Sequence, residues 1–181
     1  MDVSASTVRL LAATHADIPA IRAIALRAWP AAYGEILSAD QLAYMLETRY
    51  SESALRSQME NGETFLLALK NDQVLGFAGF EMNYQQRHIT RLHRLYIEPI
   101  RIRTGLGRLI LEAVLNAARE AGDTAVNLNV NKFNPAMGFY AHLGFACVGA
   151  EVLDIGHGYV MDDYILERLM SDRETHSGTF E

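Results

Sequence analysis

One cysteine, Cys147, and four prolines occur in 181 residues. No internal disulfide can staple the fold, and few positions are barred from helix or sheet. No uninterrupted apolar run reaches the roughly 18 residues that cross a bilayer. The first residues are polar and carry Asp2, unlike a secretory leader, so the expected location is a reducing cytoplasm with no membrane partner. Positive charge is also short: 16 Lys+Arg against 22 Asp+Glu gives a net charge of −6, which argues against nonspecific binding to nucleic acid. The sequence has no Gly-Lys-Ser/Thr of a P-loop, and His15, His88, His142, His157 and His176 lack metal-ligand spacing, so no metal is expected.

What is present is a chain that is 50% hydrophobic, enough for one cored domain over residues 1–170, with a polar, loosely held tail expected over 171–181. Thr7 to Leu11 has the pattern of a short strand. Asp17 is placed to cap a helix bearing Ile18, Ile21, Ile24 and Leu26 on its apolar positions and ended by Pro30. Residues 39 to 46 and 52 to 60 have amphipathic helical spacing. Thr64 to Lys70 and Val74 to Glu81 flank Asn71-Asp72-Gln73 as a hairpin, and a strand follows over Ile89 to Ile97. A helix over 105 to 121 sets Leu106, Leu109, Ile110, Ala113, Val114 and Ala117 on one face. Beyond it come a strand at Ala125 to Val130, a short helix at Pro135 to Leu143, and strands at Ala146 to Asp154 and Tyr159 to Leu166. A strand reached through a helix runs parallel to the one before it, so this is an α/β domain with a mixed sheet.

The segment Arg94-Leu95-Tyr96-Ile97-Glu98-Pro99, followed by Arg101, Arg103 and Thr104-Gly105-Leu106-Gly107-Arg108, has the order strand, basic glycine-bearing loop, helix start. The first amides of a helix have no intrahelical partner and its dipole favours an anion there, so such a turn can bind a pyrophosphate. Ile110 stands where the dinucleotide fingerprint would need a third glycine. The alternative use of the glycines is to shape an ordinary exposed turn.

Two motifs together resemble the GNAT superfamily of acyl-CoA-dependent N-acyltransferases. The first is Leu95-Tyr96-Ile97-Glu98-Pro99 through Gly105-Leu106-Gly107; the second is Asn131-Lys132-Phe133-Asn134-Pro135-Ala136-Met137-Gly138-Phe139-Tyr140 through Leu143-Gly144-Phe145. They stand in the family's order, joined by a helix and a strand. The flavour is closest to bacterial small-amine and polyamine members. Ile102 replaces the usual Arg or Gln, with arginines displaced to Arg101 and Arg103. Phe133 replaces the asparagine expected seven residues before the tyrosine, leaving Asn131 and Asn134 as candidates to hold the pantetheine arm.

The resemblance implies a mostly antiparallel sheet flanked by helices, whose parallel strand pair splays near Tyr96 and Val130 to admit acetyl-CoA. Backbone groups of Leu95, Tyr96 and Ile97 would then bind pantetheine, and residues Ile102, Arg103, Thr104, Gly105, Leu106, Gly107 and Arg108 the pyrophosphate. Tyr140 matches the tyrosine that protonates the leaving thiolate. A strand of period two puts residues 91, 93, 95 and 97 on one face, and His93 is the titratable group there nearest the thioester. It is the expected base for an alkyl amine that arrives protonated, with Glu81 or a water chain as alternatives.

The expected activity is N-acetylation of a small amine, polyamine or peptide amine by direct attack. The rival readings are a non-catalytic acyl-CoA-binding module and a nucleotide-binding protein. Trp29, Tyr33, Tyr44 and Tyr50 could line the acceptor side or serve as core. Asn127, Asn129 and Asn131 alternate along one strand and need buried partners. Cys147 has the context of a buried strand and is not needed as a nucleophile. A homodimer is the assembly that symmetry base rates favour.

Overall fold

Period-two alternation sets the strands, and the way the chain joins them sets their order. The computed structural model describes residues 7–170. Its strands are β1 (Arg9–Ala12), β2 (Thr64–Lys70), β3 (Gln73–Glu81), β4 (Ile89–Ile97), β5 (Ala125–Asn131), β6 (Ala146–Gly156) and β7 (Tyr159–Leu169). They form a seven-stranded sheet in the order β1-β2-β3-β4-β5-β7-β6. Its helices are α1 (Ile18–Tyr33), α2 (Ala39–Tyr50), α3 (Glu52–Glu60), α4 (Leu106–Glu120) and α5 (Met137–His142). The expected tail, 171–181, lies outside the described residues.

Neighbouring strands are antiparallel except β4 and β5. The chain that leaves β4 through α4 re-enters the sheet from the same end, so that pair is parallel. Asn71 and Asp72 turn the β2–β3 hairpin with φ of 51° and 59°, the doubly left-handed turn whose twist suits a two-residue connection.

Each face of the sheet has its own core. On one, α4 buries Leu106, Ile110, Leu111, Val114, Leu115 and Ala118 against Leu92, Val126, Leu128 and Val130. This stripe is rotated from the expected one: Leu109 is 39% exposed, and Leu111 and Leu115 complete the contact instead. On the other face, Ile18, Ile21, Ile24, Trp29 and Tyr33 of α1, with Tyr50 and Leu55, pack over Phe65, Leu67 and Phe77.

Several sequence expectations at element ends are corrected. Asp17 does not cap α1. Thr14 caps a 3-10 turn over His15–Asp17, and the Asp17 carboxylate reaches back to accept from the Thr14 N–H at 2.8 Å and its Oγ1 at 3.0 Å. Pro30 does not end α1, which runs to Tyr33. It sits on the exposed side of the last turn, where one missing N–H is tolerated, and the Gly34 N–H closes the helix on its carbonyl at 2.9 Å. Leu26 lies off the buried stripe at 45% exposure. Helix α5 starts at Met137 rather than Pro135, because the Asn134 side chain first makes a turn by accepting from the Ala136 N–H at 2.8 Å. Cys147 is exposed, because β6 is an edge strand.

Candidate active site

The parallel pairing of β4 with β5 runs from Ile89↔Ala125 to Leu92↔Leu128 and stops there, although β4 continues to Ile97 and β5 to Asn131. From Leu95 to Ile97, β4 stays in register with β3 through Ala78↔Leu95 and Gly76↔Ile97. Its other edge faces a gap. Buried backbone donors and acceptors need partners, and such a gap fits an extended, amide-bearing ligand added as a strand.

His93 sits where the strand changes face. Arg94 is opposite Gly79 and Leu92 opposite Phe80, so His93 is the extra residue of a β-bulge. This overturns the expectation that residues 91, 93, 95 and 97 share a face. Leu95 and Ile97 pack toward the α4 core, whereas Arg91 lies on the opposite face with Asn127 and Asn129.

Arg94 anchors the bulge from the α1 face. Its guanidinium lies 2.9 Å from one Glu63 oxygen and donates to the other at 3.1 Å and to Gln58 at 3.0 Å. It stacks on Tyr50 and Phe65 with 5.2 and 5.4 Å to the ring centroids. Burial pushes the Glu63 carboxyl up more than Arg94 pulls it down. A side chain at position 79 would collide with Glu63 and Arg94, which accounts for Gly79.

The His93 side chain is 24% exposed, with Nε2 3.5 Å from Glu81 Oε2 and its ring edge-on to Tyr84 at 5.5 Å. Burial, then the charges of Arg94, Arg91 and Arg49, pull its pKa down to about 4. With those three cations around it and its ring partly withdrawn from water, the imidazole is neutral at pH 7.

Beyond the gap the chain enters the glycine-bearing loop. The Ile102 and Thr104 amides are used within it, donating to the Pro99 and Arg101 carbonyls at 3.3 and 3.2 Å. The amides of Arg103, Gly105, Leu106, Gly107 and Arg108 have no acceptor among the described residues. Arg103 and Gly105 have φ of 67° and 84°, the left-handed geometry that turns successive amides toward one point. A Cβ at Gly105 would meet nothing within 4 Å, so the glycine leaves open space beside these donors. A cavity of about 290 Å³, lined by Lys70, Arg101, Thr104 and Gly105 among others, adjoins the turn. The Arg108 side chain is bound to Glu112 at 2.7 Å.

Tyr140 is buried beside Phe139 and Phe145, with centroids 5.1 and 5.7 Å away. Burial, and then Tyr33, push its phenol above the ordinary value. Tyr33 also meets Tyr96, hydroxyl to hydroxyl, at 3.5 Å. Trp29 packs among Tyr33, Tyr50 and Tyr96 with centroids 4.6, 5.7 and 5.9 Å away, so these aromatics belong to the core on the α1 face. Tyr44 lies apart and donates to the Ile155 carbonyl of β6 at 2.8 Å.

The asparagines have partners. Asn127 and Asn129 accept from Arg91 at 3.3 and 2.6 Å, and the Asn129 amide donates to Glu151. Asn131 and Asn134 accept from the Phe133 and Ala136 amides at 3.0 and 2.8 Å, which holds the turn from β5 into α5. Sequence reasoning missed Asp163, which is opposite both Asn131 and Glu151 in register. The available signal was an aspartate at an inward position of β7, in step with Met161 and Ile165.

A family model described as "Acetyltransferase (GNAT) domain" matches residues 35–161. The fold is shared with the PaiA N-acetyltransferase of Thermoplasma acidophilum, solved in complex with coenzyme A. That protein is 20% identical, with a TM-score of 0.77 over 91% of this chain and 99% of that one. It is shared also with the ribosomal-protein-S18-alanine N-acetyltransferase of Escherichia coli, 19% identical, with a TM-score of 0.69 over 93% and 98% of the two chains. The match over most of the length, on a sheet that splays after Leu92 and Leu128, shows that the chain belongs to the GNAT acetyltransferases, enzymes that take their acetyl group from acetyl-CoA.

Proposed function

We propose that this chain moves an acetyl group from acetyl-CoA to a primary amine, that of a small amine, polyamine or peptide, by direct attack in a ternary complex. The observation that carries the reading is the gap at Leu95–Ile97 leading straight into the unpartnered amides of Arg103 and Gly105–Arg108. Acetyl-CoA supplies an acyl group activated as a thioester. Backbone groups of Leu95, Tyr96 and Ile97 hold its pantetheine arm, with Asn131 and Asn134 shaping the far wall, and a free amide of β4 polarises the carbonyl. Arg103 and Gly105–Arg108 bind the pyrophosphate, on a turn that Ile102 and Thr104 close.

His93 receives the proton of the attacking nitrogen. A base of pKa about 4 keeps a proton only briefly, so Glu81, 3.5 Å from its Nε2, carries it toward solvent. Tyr140 returns a proton to the departing sulfur. Its burial keeps the phenol protonated at every working pH and also weakens it as an acid. The transfer depends on the sulfur being desolvated in the same place, which raises its own proton affinity. The reading includes a single catalytic domain over residues 1–170, a reducing cytoplasm in which exposed Cys147 stays a thiol, and a homodimer.

The test is thiol release from acetyl-CoA across small amines, polyamines and peptide amines, with His93→Ala and Tyr140→Phe beside the parent. Turnover falls about 10²-fold or more in each variant while CoA still raises the melting temperature. If acetyl-CoA binds and no amine accelerates thiol release above hydrolysis, the chain is a non-catalytic acyl-CoA-binding module.

A further inference from the structure

Asp163 is 6% exposed, and its Oδ1 is buried without a hydrogen-bond partner among the described residues. It projects from β7 on the face shared with Met161 and away from Leu166, the face on which Tyr33 and Tyr96 stand. Glu151 is directly opposite it on β6 and Asn131 directly opposite it on β5. Two carboxylates thus lie side by side at the end of β5 that borders the gap.

The cations nearby balance them only in part. Arg91 spends its two terminal nitrogens on Asn127 and Asn129, and Asn129 in turn donates to Glu151. Lys132 is paired with Asp162 at 2.5 Å and lies over the Tyr164 ring, on the opposite face. One guanidinium therefore faces Asp163 and Glu151 together. Burial pushes the Asp163 carboxyl above its usual range; Asn129 pulls it back, Glu151 pushes it further, and Arg91 offsets only part of the rise. A buried carboxylate oxygen with nothing to accept from is unfavourable unless something occupies the space.

We propose that Asp163, with Glu151 beside it, binds a second ammonium group of the acceptor, so that the enzyme prefers small dicationic amines to monoamines. This rests on the N-acetyltransferase reading above. The reacting nitrogen cannot be the one held here. It must reach a carbonyl between β4 and β5, whereas Asp163 is on β7, beyond β5. Strands are spaced about 4.8 Å apart, so the carboxylate lies roughly one to two spacings, on the order of 5–10 Å, from the reacting carbon. A spacer of a few methylenes bridges that distance, and Tyr33 offers a ring for the ammonium to pass.

Butane-1,4-diamine and butylamine differ chiefly by the distal charge, so the pair isolates this contact. Initial rates with acetyl-CoA are compared for the parent, Asp163→Asn, Asp163→Glu and Glu151→Gln. Asp163→Asn raises KM for the diamine about 10-fold or more, as loss of a charge-assisted contact does. It leaves kcat, KM for acetyl-CoA and butylamine kinetics within about two-fold, and Asp163→Glu restores part of the loss. Calorimetric binding of the diamine reads the same site without turnover. A parent that binds the diamine through Asp163 yet acetylates neither amine upholds the site and overturns the N-acetyltransferase reading. A parent that acetylates both amines equally well, or an Asp163→Asn variant that impairs both alike, overturns the site and leaves that reading standing. The amide is the same size as the acid, and an unchanged circular dichroism melt shows that the variant folds.

Discussion

Replacing Arg94 with methionine removes a charge and keeps most of the volume. The side chain left behind is Glu63, buried and with no second cation within salt-bridge range among the described residues. Stranding one member of a buried pair costs about 3–5 kcal/mol. For a chain of this length each kcal/mol moves the melting temperature by about 2–4 °C, so the expected fall is roughly 6–20 °C. The Gln58 bond at 3.0 Å and the stacking on Tyr50 and Phe65 go with the guanidinium, but the methionine stem keeps part of the ring contact. Taking out the partner as well, in Glu63→Met with Arg94→Met, removes the stranded charge. Burial already outweighs the attraction at Glu63, so the double variant regains at least about 2 kcal/mol over the single one. Urea denaturation of the parent, both single variants and the double variant measures this cycle. A loss under about 1 kcal/mol in Arg94→Met, or a double variant no more stable than the single, refutes the argument.

Two further outcomes follow from the site. His93, with its pKa down at about 4, binds a proton less tightly folded than unfolded, so it contributes stability above about pH 6.5 that is lost as pH falls toward 4. His93→Gln flattens the melting temperature over that window, and the rise of kcat/KM with pH tracks deprotonation of the acceptor amine; an acid limb near 6.5 that vanishes in His93→Gln contradicts this. Gly105→Ala is disfavoured by φ of 84° but meets no atom within 4 Å. Stability therefore falls by only about 1–2 kcal/mol, while acetyl-CoA affinity, read by calorimetry, falls about 10-fold, and unchanged affinity shows that the cofactor does not approach there.

The regular parts of this fold are written locally. The bounds of β2 and β4 are readable from residue pattern alone, the Asn71-Asp72 turn from its polar pair, and the crossover from the helix between two strands. The bulge at His93 is not, because its cause is nonlocal: Arg94 turns inward to meet Glu63, 31 residues earlier, and alternation read along β4 by itself cannot register that. Pro30 misleads for a related reason, since its tolerance depends on which side of α1 meets water. The loop and Tyr140 were legible as motifs, whereas Asp163 was not. Its significance comes from lying beside Glu151 and Asn131, a juxtaposition made by three strands that are separate in sequence.

The early end of the β4–β5 ladder divides one sheet into two panels, β1 to β4 and β5 to β7, joined along only Ile89–Leu92 and Ala125–Leu128. Amide exchange in a sheet is ordinarily slowest at its centre and fastest at its rims. Here the middle carries an inner rim, and the panels can twist about the short shared seam. A ligand lying in the opening would pair with both inner edges and slow amide exchange along them.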